Sequence, residues 1–244
     1  MPQEILFQVA MTAAASFGGA VVTQVSGFGY GIFVMMFYPL FLPHGQATAL
    51  SGLVALGLGV SVAWRLKEHV RLRLVALPLI AYALTNMIAL EILSSMDVAL
   101  IKRVMGAFLI VLSIYFFFFH SKIRIRPTAR NALIAGAISG VTGGFFAMGG
   151  PPMVIYYLSC LDSKDDYLAT IQCYFAFSNV ISSIGRVAQG FVTETVLLLV
   201  IPAVLAMGVG NALGRKMYGR MSPELMKKIV YAVMAFSGLS SLLK

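Results

Sequence analysis

Residues Gly143-Gly144-Phe145-Phe146-Ala147-Met148-Gly149-Gly150-Pro151-Pro152 interrupt a stretch, 131–161, that contains no Lys, Arg, Asp or Glu. The apolar segments on either side, 131–146 and 148–161, are each shorter than the roughly 20 residues a helix needs to cross a bilayer core. Glycine frees the backbone to break a helix, and proline is tolerated in the first turn of the next one. The stretch therefore reads as a broken helix or re-entrant hairpin, which survives at membrane depth only where protein or a cavity covers it.

The surrounding sequence demands the same environment. Charged residues make up 11% of the 244 and apolar residues 59%, where a water-soluble domain carries about 25% charge. After Glu4 no charged residue occurs until Arg65, and further charge-free runs cover 74–90, 104–119, 167–185, 195–214 and 229–243. About ten hydrophobic segments follow, near 5–25, 29–42, 46–64, 74–93, 98–119, 131–146, 148–161, 167–188, 194–214 and 224–243. The fold class is an all-α membrane protein.

A second break, Gly27-Phe28-Gly29-Tyr30-Gly31, lies earlier, and the segment after it, 29–42, is again short. Shifted by about 120–125 residues, the two halves resemble each other. Gly29 falls on Gly149, Ala47-Thr48 on Ala169-Thr170, and Leu77-Pro78 on Ile201-Pro202. Leu100-Ile101-Lys102-Arg103-Val104 falls on Leu225-Met226-Lys227-Lys228-Ile229, preceded by the capping residues Asp97 and Ser222. The expectation is a duplicated unit of about five segments, one repeat over 1–122 and a second over 123–244.

Lys and Arg concentrate in 65–73 (Arg65, Lys67, Arg71, Arg73), in 120–130 (Lys122, Arg124, Arg126, Arg130) and in 215–228 (Arg215, Lys216, Arg220, Lys227, Lys228). Placing all three in the cytoplasm threads the chain without contradiction and leaves both termini extracytoplasmic. The repeats are then inverted, because each unit makes an odd number of net crossings. The acidic loop Asp162-Ser163-Lys164-Asp165-Asp166 also falls inside, against the trend of charge.

Inverted repeats that meet at discontinuous helices are the architecture of secondary transporters, with substrate held near the midplane. Backbone N–H groups at a helix start suit a small anion. Gly27, Phe28, Gly29, Gly149 and Gly150 are therefore candidates to build the site with backbone donors. Ser26, Thr48, Ser51, Thr170, Gln172 and Asn179 are candidates to add side-chain contacts, since polar groups in apolar segments face partners or a cavity rather than lipid. The plainer role for such residues is helix packing, and a GxxxG such as Gly27–Gly31 more often serves close approach than ligand binding. Arg186, at the outer end of its helix, has two readings, attracting anions or snorkelling to the interface, of which snorkelling is the plainer.

What is missing narrows the class. Apart from Glu91, near a segment end, no acidic residue lies well inside an apolar run, which argues against a cation carrier. No nucleotide, zinc or nucleophile motif is present, so no catalytic residue, metal or cofactor is assigned. The net charge of +9 fits loop topology and not nucleic acid. A disulfide-carrying oxidoreductase would need one cysteine per half, whereas Cys160 and Cys173 both lie in the second.

With the two glycine turns and the run Pro151-Pro152-Met153-Val154-Ile155-Tyr156-Tyr157-Leu158, the whole chain resembles the sulfite exporter TauE/SafE family of bacterial membrane permeases. The first turn, with Phe28 and Tyr30 interposed, is less glycine-rich than the family pattern. The resemblance implies export of sulfite or an organosulfonate across the inner membrane, with the lipid bilayer as surroundings. It fixes neither the particular anion nor an oligomeric state. Proton coupling could pass through the substrate itself, since sulfite and bisulfite interconvert near neutral pH. A passive anion channel and a membrane scaffold without substrate are the competing readings.

Overall fold

The computed structural model describes residues 2–119 and 126–217, which form helices and connecting turns with no β-strand among them. Among the described residues, four helices are long and apolar enough to span a bilayer: Gln3–Gln24 within α1 (Pro2–Ser26), α3 (His44–Arg65), α4 (Leu72–Ser95) and α9 (Glu194–Met217). Between them lie α2 (Tyr30–Val34), α5 (Val98–Phe119), α6 (Ala129–Phe146), α7 (Gly150–Cys160) and α8 (Lys164–Ala188). The segment expected over 224–243, with its cap Ser222, falls outside the described residues, as do Lys122 and Arg124.

Nine of the expected segments correspond to helical stretches, and the differences have local causes. Segment 29–42 is a five-residue helix followed by a 3-10 turn, Tyr38–Leu40, with Pro39 in its first turn. Buried hydroxyls anchor this irregular piece, Ser16 Oγ to Tyr38 Oη at 2.7 Å and Tyr30 Oη to Ser16 Oγ at 3.3 Å. Asp97 caps α5 as its position suggested, accepting from the amides of Ala99 (2.7 Å) and Leu100 (3.2 Å).

In lipid, helices associate through close packing and interhelical hydrogen bonds, so small residues collect at seams. The largest seams pair α4 with α6, α1 with α9, and α3 with α8; lesser ones pair α4 with α8 and α3 with α9. Gly136, Gly140 and Gly144 form a ridge on α6 against Pro78, Tyr82 and Ala89 of α4. Gly210 and Gly214 play the same part on α9, against Phe17, Ala20 and Val21 of α1. On α3, Gly59 meets the backbone of α8 at Gln172 and Ala176, where a Cβ would come within 3.1 Å. Outward faces carry Ile80, Leu84 and Ile88 on α4 and Ile201, Leu205 and Val209 on α9, all exposed. These are the apolar flanks that a bilayer would cover. Trp64, 74% exposed at the end of α3 with Lys67 Nζ 5.7 Å from its ring, has the chemistry of an interfacial anchor.

The loop after α3 is tied to the start of α8. Asp166 accepts from Arg71 Nη2 (2.6 Å) and Nε (2.9 Å) and pairs with His69 Nδ1 (2.8 Å), and the Arg71 amide donates to Thr170 Oγ1 (3.1 Å). His69 and Arg71 hold the Asp166 carboxyl below its ordinary range. The basic 65–73 loop and the acidic 162–166 loop therefore share one face. Of the acidic residues that run against the charge trend, Asp166 is a partner of that loop.

Candidate functional site

Two helix breaks face each other inside the bundle. In the first, α1 ends at Ser26 and α2 begins at Tyr30; in the second, α6 ends at Phe146 and α7 begins at Gly150, 120 residues on at both points. Gly27 (φ 82°) and Ala147 (φ 56°), also 120 residues apart, both take the left-handed conformation that ends helices. Glycine adopts it freely, while alanine must be held there by its surroundings. The turns touch: a Cβ on Gly31 would overlap the Ala147 carbonyl oxygen, and Gly150 sits beside the Phe28 side chain.

Helix α8 holds both breaks in place. Gln172 Nε2 donates to the Gly27 carbonyl at 2.9 Å. Two residues on, Tyr174 Oη donates to Ser139 Oγ (3.0 Å), which donates to the Gly149 carbonyl (2.5 Å). A buried ring of three side chains fixes α8 to α4. Tyr82 Oη donates to Ser182 Oγ (3.2 Å), Ser182 Oγ to Asn86 Oδ1 (3.1 Å), and Asn86 Nδ2 back to Tyr82 Oη (3.1 Å). Each group is satisfied, as a buried polar network must be to stabilise its surroundings.

Between the breaks lies a cavity with room for water centres of about 70 Å³. One water needs about 10–15 Å³ by that measure, so the space suits a few waters or one small oxyanion. Of the residues expected from the sequence, Phe28, Gly29, Gly149, Gly150, Gln172 and Asn179 line it. Gly27 is one residue behind the wall, engaged by Gln172. Thr48 is buried with its hydroxyl on the Gly45 carbonyl (2.8 Å), and Thr170 serves the Arg71 amide, so both have structural partners away from the lining. Ser51 is buried behind Gly31, its Oγ 3.7 Å from where a Cβ on that glycine would stand. Ser26 closes α1 at the first break.

The two breaks are unequal as donors. The first-turn amides of α2 have no acceptor within their helix, and Gly29, Tyr30, Gly31 and Ile32 all line the cavity. In α7, Pro151 and Pro152 remove two of the corresponding N–H groups.

The residue that sequence reasoning placed elsewhere is Arg186. It is 1% exposed and lines the cavity, not the interface, and among the described residues it is the one formally charged residue in the lining. Its Nη2 donates to the Gly143 carbonyl at 2.7 Å, while His44 Nε2 bonds the Phe145 carbonyl, also at 2.7 Å. These carbonyls belong to the last turn of α6, the negative end of a helix that stops inside the bundle. Arg186 Nε is buried with no partner among the described residues. The signal was present as spacing: Tyr174, Ser178, Ser182 and Arg186 recur every four residues and form one polar stripe along α8.

The family model described as sulfite exporter TauE/SafE matches residues 11–241, nearly the whole chain. The chain belongs to the sulfite exporter TauE/SafE family. A relative from Cupriavidus necator, named probable sulfite/organosulfonate exporter TauE, is 22% identical over 253 aligned positions, covering 100% of this chain and 97% of the relative. No solved structure matched. Membership in this exporter family, with the apolar helices described above, supports a membrane-embedded chain.

Proposed function

We propose that this chain is a secondary transporter that exports a small sulfur-containing anion, sulfite or an organosulfonate, across the inner membrane by alternating access. The observation that carries the reading is the cavity between the two breaks. It is small, it is lined by Arg186, Gln172 and Asn179, and among the described residues its formal charge is positive, with no carboxylate in the lining. A cation would find no counter-charge there among the described residues, whereas an oxyanion would find a guanidinium whose Nε has no partner.

Alternating access rests on two inverted repeats, 1–122 and 123–244. The equal spacing of the breaks supports the duplication, and so does the packing. Exchanging α1 with α6, α3 with α8 and α4 with α9 turns the α1–α9 seam into the α6–α4 seam and the α4–α8 seam into the α9–α3 seam. A two-fold relation between halves requires that pattern. In this reading the face bearing the 65–73 and 162–166 loops is cytoplasmic, and both termini are outside. A proton coupled to transport would travel on the substrate, since the described residues lining the cavity include no carboxylate to relay it.

Counterflow separates a carrier from a pore or an inert scaffold. Proteoliposomes preloaded with unlabelled sulfite should transiently accumulate labelled sulfite above its external level, because a carrier exchanges one anion for another. Labelled sulfite that only equilibrates would indicate a passive channel, and no protein-dependent entry of any sulfur anion would remove the transport reading.

A further inference from the structure

The formal charge of the cavity bears on which ionic form of a sulfur anion can be carried. Among the described residues Arg186 is the one charged group in the lining, and part of its charge already faces the Gly143 carbonyl. The groups packed around it cannot add a second positive charge. Tyr82 of α4 is locked in the ring with Ser182 and Asn86, and Asn179 of α8 donates from Nδ2 to the Phe175 carbonyl at 2.8 Å. His44 of α3 uses Nε2 on the Phe145 carbonyl, and its Nδ1 is buried without a partner, so a second ring proton would meet no acceptor. Gly52 of α3, whose Cβ would stand 3.5 Å from Arg186 Nη1, brings no side chain at all.

We infer that Arg186 is a substrate ligand that restricts this cavity to singly charged sulfur oxyanions: bisulfite, or the –SO₃⁻ headgroup of an organosulfonate. One anionic charge neutralises the guanidinium and gives its buried Nε an acceptor. A doubly charged oxyanion would leave one negative charge uncompensated in a buried space, which is strongly unfavourable. Dianionic sulfite and sulfate are then excluded by charge although they match bisulfite in size. The inference rests on the transport reading above and names the substrate form for that same site.

The test is initial uptake by proteoliposomes with equal pH inside and out, corrected for protein-free vesicles. Sulfite at a fixed subsaturating total is compared with methanesulfonate, which stays singly charged throughout, and with sulfate. Between about pH 6 and pH 9, sulfite uptake should fall by more than about tenfold as bisulfite is titrated away, while methanesulfonate uptake stays level. Sulfate should enter at less than about one tenth of the sulfite rate at the acid end. Arg186→Gln should lose at least about tenfold in sulfite uptake there, and Arg186→Lys, which keeps the charge, should retain more of it than Arg186→Gln. If Arg186→Gln fails to fold, the wild-type pH profiles decide alone. Sulfite uptake that is level across this range, sulfate carried as fast as sulfite, or a folded Arg186→Gln with wild-type uptake would each overturn the inference. No uptake of either sulfite or methanesulfonate at any pH would instead overturn the transport reading, and this inference with it.

Discussion

Gly149→Leu is expected to abolish anion flux while the protein still inserts and folds. Gly149 is the N-cap of α7 and part of the cavity wall. A Cβ there would stand 2.8 Å from both the carbonyl oxygen and Oγ of Ser139. The carbonyl is backbone of α6 and cannot rotate away, so the second break must shift, taking with it the Ser139–Gly149 and Tyr174–Ser139 hydrogen bonds. Overpacking of this kind typically costs about 1–3 kcal/mol, enough to move a turn but not to unfold a bundle held by three long seams. Flux should fall to the level of protein-free vesicles, with detergent-solubilised protein still monodisperse by gel filtration. Wild-type flux from the folded variant would show that the second break is not part of the site.

Gly140→Leu should do the opposite and remove the folded protein altogether. Gly140 lies in the middle of the α4–α6 seam, where a Cβ would come 2.6 Å from the Tyr82 carbonyl oxygen and 3.0 Å from its Cα. Both are α4 backbone, so the helices must separate along the ridge that Gly136 and Gly144 continue. Separation would also break the bond from Asn86 Nδ2 to the Gly140 carbonyl (3.3 Å) and disturb the ring that Asn86 forms with Tyr82 and Ser182. Leaving such a network half satisfied costs more than losing it outright, and together the effects should exceed about 3 kcal/mol. The measurement is yield and melting temperature of purified protein, with Gly208→Leu as the control. A Cβ at Gly208 meets nothing within 4 Å, so that variant should melt like the wild type. Equal stability of the Gly140 variant would mean that the seam is not packed as described.

These two glycines mark what could be read from the sequence and what could not. Gly149 was legible because its signal is local: glycine followed by two prolines at the junction of two short apolar segments permits few backbone courses. The first break was legible for a similar reason, since Gly27-Phe28-Gly29-Tyr30-Gly31 also precedes a short apolar segment. The glycine ridge of α6 drew no separate expectation, because its partner lies about 55 residues earlier on α4 and helix pairing leaves no mark at that distance. Thr48 and Thr170 were polar in apolar surroundings, a rule that finds buried hydroxyls but does not say whether a helix carbonyl or a cavity satisfies them. Arg186 went astray on a similar ambiguity. An arginine ending a charge-free run looks interfacial unless it is known that α6 stops inside the bundle, with carbonyls at 143–145 in need of a cation.

The central claim is that the space between the two breaks accepts a small sulfur anion from one side of the membrane and releases it to the other. The most direct measurement is the initial rate of sulfite uptake into proteoliposomes, against sulfate and chloride, over a range of concentrations. Uptake that saturates and favours sulfite over both other anions is the predicted result. Folded, correctly reconstituted protein that moves chloride as readily as sulfite without saturation, or moves neither, would contradict it.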